Sequence, residues 1–179
     1  DKRNISIYAI PYIRRTIMDY INIGIMNNAV DFAENVTGYD TSSSVSNGSR
    51  GIIMGGISPT GDDNIDQMQY FTIGTLADAV DFAGELNAGR GYLTGGASNG
   101  ARGVIGGGNS PNFPYSNAMD YFGFNPGVDA VDFGNLTVGR LGVPGTSDAE
   151  RGVWAGGWLP GASDTIDYAI IGTTANAID

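Results

Sequence analysis

The sequence predicts an all-β chain assembled from repeated four-stranded antiparallel units, and three observations carry that prediction. One phrase recurs, as RGIIMGG (50–56), RGVIGGG (102–108) and RGVWAGG (151–157). A second phrase keeps step with it, so that Tyr20, Tyr70, Tyr121 and Tyr168 stand 50, 51 and 47 residues apart. The apolar stretches are short and none shows a 3.6-residue rhythm, which suits strands rather than helices. A fixed period near 50 with this much internal identity marks an array.

Within a unit, the first strand is GYLTGGAS (91–98) and the second is the Arg-Gly phrase. Asn99-Gly100 joins them, with Asn47-Gly48 in the same place one unit earlier. Asn-Gly between two strands predicts a hairpin with a type I′ turn. The third strand is the Tyr phrase: MDYINIG (18–24), MQYFTIG (68–74), MDYFGFN (119–125) and IDYAIIG (166–172). The fourth begins NAVDFAENVTG (28–38), DAVDFAGELNAGR (78–90), DAVDFGNLTVGR (129–140) and NAID (176–179). Strand alternation puts Val80 and Phe82 on one face and Ala79, Asp81 and Ala83 on the other. Val80, Phe82, Val131 and Phe133 are therefore expected to be buried between units. The units run about 1–38, 39–90, 91–140 and 141–179, the first opening at a second strand and the last closing in a fourth. That makes about three and a half units, read as a segment of a longer protein.

Composition narrows the function classes. Glycine is extreme at 29 of 179 residues, with no collagen period, so turns and close backbone approaches are expected. The net charge of −10 repels polyanions, which disfavours nucleic acid and anionic membrane as partners. With no Cys and no His, the chain has no means of building a disulfide, a Cys/His zinc site or a Ser-His-Asp triad. No 18-residue apolar run is present, and membrane insertion is not expected.

Four antiparallel strands per 50 residues is the grammar of a β-propeller blade. Gly106-Gly107, Asp120-Tyr121, Phe133, Leu136 and Arg140 follow one another in the order of the kelch repeat's landmarks. Phe82, Leu86 and Arg90 do so one unit earlier. The chain thus resembles kelch-like repeats, in particular those of marine phage tail-fibre and appendage proteins. It departs from them in carrying Phe32, Phe82 and Phe133 where Trp is usual, and ISIYAIP (5–11) where the first Gly-Gly belongs. The resemblance implies a propeller of four-stranded blades, of which this chain is a segment. It implies a structural and binding role in a virion fibre or surface appendage, located on the virion or an extracellular surface. Expected partners are other proteins of that assembly, further copies of the chain among them, and a cell-surface glycan. The competing reading is a propeller enzyme, galactose-oxidase-like or a glycosidase. The first needs His and Cys, the second S-x-D-x-G-x-T-W boxes, and this chain has neither; its chemistry would lie outside the segment.

Asp31, Asp81, Asp132 and Asp179, like Arg50, Arg102, Arg151, Arg90 and Arg140, recur in step with the units. A catalytic site needs each role once, so residues repeated in every unit are expected to make one structural bond per unit. The tyrosines are likewise expected to pack, with their hydroxyls reaching a neighbouring unit. No catalytic residue and no cofactor is expected. Binding is assigned to the connections between second and third strands, where the units disagree in length and content. The candidates are Asp62, Asp63, Asn64, Asp66, Asn112, Phe113, Tyr115 and Trp158. Asp62, Asn64 and Asp66 have the D-x-N-x-D spacing that begins a calcium loop. Gln67 stands where its glycine belongs and Ile73 where its closing Glu belongs, so a solvated acidic turn is the favoured reading.

Overall fold

The structure is a computed structural model that describes residues 16–21, 28–58, 63–92, 95–110 and 112–179. The described residues form antiparallel sheets and no helix. Strands β1 (Ile17–Tyr20) and β2 (Val30–Glu34) pair in the first unit. Strands β3 (Ser43–Ser46), β4 (Arg50–Met54), β5 (Gln67–Thr72) and β6 (Val80–Glu85) form a four-stranded meander. Strands β7 (Gly96–Ser98), β8 (Arg102–Gly106), β9 (Ala118–Gly123) and β10 (Val131–Asn135) repeat it. The last sheet joins β11 (Gly145–Ser147), β12 (Arg151–Ala155) and β15 (Ile166–Ile170), with a small hairpin of β13 (Trp158–Leu159) and β14 (Gly161–Ala162) inserted. Ile178 bridges to Tyr168 where a fourth strand would run.

The sheets meet along their first strands, β3 against β7 and β7 against β11. Two apolar clusters fill the spaces between sheets. One joins Ile52, Met54, Met68, Phe82 and Leu86 to Ile105, Phe122 and Phe124 of the next sheet. The other joins Val104, Met119, Phe133 and Leu136 to Trp154, Ala169 and Ile171. Glycine in the Arg-Gly phrase follows from this packing. A Cβ on Gly103 would fall 2.7 Å from the Phe122 ring, and one on Gly152 would fall 2.7 Å from the Trp154 indole. The Gly-Gly that ends the phrase has a different cause: Gly107 and Gly108 have φ of 79° and 89°, a region that side chains disfavour.

Three expectations require correction. The Asn-Gly hairpins form, but only Gly48 and Gly100 have positive φ, whereas a type I′ turn needs it at both central residues. Each Asn instead accepts hydrogen bonds from the two amides that close a longer loop, Asn99 Oδ1 from Ala101 and Arg102. Val80 and Val131 are not buried; they are 51% and 50% exposed, while Phe82 and Phe133 are fully sealed. Alternation assigns a face, but the neighbouring sheet covers that face only as far as the phenylalanines. The tyrosine rings pack edge-on against phenylalanine, Tyr70 on Phe82 and Tyr121 on Phe133, with an Arg guanidinium over each. Among the described residues no hydroxyl of Tyr70, Tyr121 or Tyr168 bonds a neighbouring unit.

Candidate binding face and the junctions beneath it

The recurrent arginines, and Asp81 and Asp132, are consumed in the fold. Arg50, Arg102 and Arg151 lie 4.7, 4.7 and 5.4 Å from the ring centres of Tyr70, Tyr121 and Tyr168. Arg102 also donates to the Gly172 carbonyl of the next unit at 3.1 Å, and Arg50 to that of Phe124. Asp81 and Asp132 accept from the amides of Ala83 and Gly134, fixing the bulge in the fourth strand. In the second unit that bulge holds one residue more than in the third, with Ala83 at φ 56°.

The arginine that ends each unit works across the junction. Arg140 is fully buried, pairs with Asp167 at 2.5 Å and donates to the carbonyls of Gly156 and Thr165 at 2.6 and 2.8 Å. Arg90 pairs in the same way with Asp120 and donates to the Ala118 carbonyl at 2.7 Å. Burial pushes the Asp120 carboxyl above its ordinary range; the Arg90 charge and the Asn87 amide pull it back, and Asp132 adds to the rise. At the first junction both partners change together. Tyr39 replaces the Arg, just before the residue that bridges the following loop (Asp40 to Ile57, as Gly91 to Asn109 and Leu141 to Trp158). Gln69 replaces the Asp, accepting from the Val36 and Thr37 amides and donating to the Thr37 carbonyl. A buried carboxylate without its guanidinium is expensive, so a neutral amide belongs where the Arg is absent.

A further contact recurs at every described junction, and the sequence reading missed it. Glu34, Glu85 and Asn135 donate their backbone N–H to the side chains of Asp78, Asp129 and Asn176 at 3.0, 3.1 and 3.0 Å. The same three residues accept, through their carbonyls, from the amides of Ala79, Ala130 and Ala177, each at 2.8 Å. The signal was the Asn/Asp-Ala pair that opens every fourth strand. The acid or amide is a hydrogen-bond acceptor for the unit before it, and the alanine is small enough for backbone contact.

The variable connections project from the same side as the unit-ending arginines. Phe113 is 65% and Trp158 54% exposed, and Asp63 and Asn112 are exposed as well. Asn64, Asp66 and Tyr115 are half-buried; the backbones of the first two are tied into the scaffold, Leu86 donating to the Asp66 carbonyl at 2.8 Å and Asn64 bridging to Ile57. Asp62 lies outside the described residues. Among the described residues no group of three or more His, Cys, Asp or Glu side chains is placed to hold a metal ion.

The structure brings Asn112 and Phe113 to a cavity of about 450 Å³ between two units, with Asn87 and Gly89 opposite them and Arg90 and Asp120 among its lining. Tyr115 and Trp158 do not line it. A larger cavity, about 560 Å³, opens between the first two units against Tyr20, Phe32, Phe71 and Ile73. Its counterparts one junction on, Phe122 and Phe124, are buried in the core, so it belongs to inter-unit packing. No described helix is long and apolar enough to cross a membrane. The chain matches no known family model and no curated protein.

Proposed function

We propose that the chain is a segment of a kelch-like β-propeller acting as a non-enzymatic structural and binding module. In this reading it belongs to a virion fibre or surface appendage, on the virion or an extracellular surface, and serves assembly and host or glycan attachment. One observation carries the reading. The recurrent arginines and the aspartates Asp81, Asp120, Asp132 and Asp167 are occupied in stacking, capping and junction bonds, while the exposed aromatic rings Phe113 and Trp158 sit on connections that differ from unit to unit. Aromatic rings beside carboxylates and amides suit the apolar face and hydroxyl groups of a sugar. The fold supplies rigidity and the loops supply contact.

The test is binding of the chain to a glycan array and to candidate host cells, compared with a Phe113→Ala/Trp158→Ala variant. The expected result is binding that the double substitution abolishes while the melting temperature stays within a degree or two. Binding unchanged in the variant, or none on either surface, contradicts the reading.

A further inference from the structure

We infer that the first unit is itself a docking surface, and that its occupant is another unit of the same repeat, one ending in Gly-Arg. The inference rests on reading the units as successive blades, and it assigns Asp19 and Asn28 as the receiving residues.

Each described junction has two polar parts. The residue before the unit's Tyr, on the third strand, meets the end of the preceding unit: Asp120 pairs with Arg90 and Asp167 with Arg140, while Gln69 bonds the backbone of Val36 and Thr37, just before Tyr39. The Asn or Asp opening the fourth strand takes a backbone N–H of the preceding unit. In the first unit these positions are Asp19, before Tyr20, and Asn28, before Ala29. Both are exposed, and among the described residues neither side chain has a hydrogen bond or an ion pair. Ile21, on the face where Phe122 packs in the third unit, is 61% exposed.

The identity of residue 19 selects the occupant. Where Tyr follows the closing Gly of the preceding fourth strand (Gly38-Tyr39) the chain carries Gln69; where Arg follows it (Gly89-Arg90, Gly139-Arg140) the chain carries Asp. Asp19 therefore calls for an arginine, and the pocket it shares with Asp31 and Glu34 is complementary to a cation. A carboxylate closed into a junction without that charge would remain unpaired in a desolvated site.

The experiment adds a unit before the first. Arg3 stands 17 residues before Tyr20, as Arg151 stands 17 before Tyr168, so a copy of residues 91–150 can be joined in register to Arg3. This places the copy's Gly-Arg one junction ahead of Asp19. The extended chain is expected to unfold cooperatively at a higher temperature than the parent. Asp19→Asn is expected to remove much of that gain in the extended chain and to leave the parent's melting temperature unchanged. A double-mutant cycle between Asp19 and the copy's terminal Arg reads the pairing directly. Coupling between them supports the assignment. No gain in melting temperature, or effects that simply add, overturn it. The Arg140–Asp167 cycle in the same chain separates the two levels: coupling there with none at Asp19 overturns the docking assignment alone, and none at either site overturns the reading of the units as well.

Discussion

Phe82 and Val80 lie two residues apart on one strand and one face, and their environments are opposite. Phe82 is fully buried against the next unit; Val80 looks into solvent. Phe82→Ala is expected to cost about 3–5 kcal/mol by chemical denaturation. Val80→Thr is expected to stay within about 0.5 kcal/mol of the parent. The alternation was legible in the sequence, but the reach of the neighbouring sheet was not, because no local pattern records where a second sheet stops. Asp120 offers a second check at this scale. Its carboxyl, held above the ordinary 3.8 chiefly by burial, is expected to titrate above that value by NMR. The folded state then holds the proton more tightly than the unfolded chain. Its contribution to stability is full below 3.8 and is lost as pH rises through the raised value. A midpoint at or below 3.8 contradicts the assigned burial.

Between strands, two units solve one packing problem differently. In the third unit Gly103 sits opposite Phe122, whose ring occupies the space a Cβ would need, and Ile105 lies beside it. In the fourth unit Gly152 sits opposite Ala169, and Trp154 fills the space instead. The residues of both solutions are visible in the sequence; that Trp154 answers for Ala169 emerges only from the register. Ala169→Phe alone is expected to overpack the site, losing about 1–3 kcal/mol, and Ala169→Phe with Trp154→Ile to recover most of that loss. Melting curves of the three proteins decide it. The hairpin turns show the same division between sequence and structure. Asn-Gly announced a reversal, while its geometry was set by an Asn side chain capping two amides rather than by two residues of positive φ.

Across the whole molecule, polar bonds between units recur as regularly as the apolar clusters, and they explain why charged residues persist in so glycine-rich a chain. The period, the strands and the variable connections were readable from one sequence because each repeat serves as a comparison for the others. The cavity beneath Asn112 and Phe113 was not, since its walls come from two units. Nor was the partner of each terminal Arg, which lies 27 to 30 residues further along the chain. The central claim is that these recurrent residues answer to the junctions between units. It is tested most directly by converting the first, neutral junction into the charged kind. Gln69→Asp alone places a carboxylate in the junction without a guanidinium and is expected to destabilise by about 3–5 kcal/mol. Tyr39→Arg together with Gln69→Asp is expected to restore stability to near that of the parent. A double variant as unstable as the sum of its two single substitutions contradicts the account.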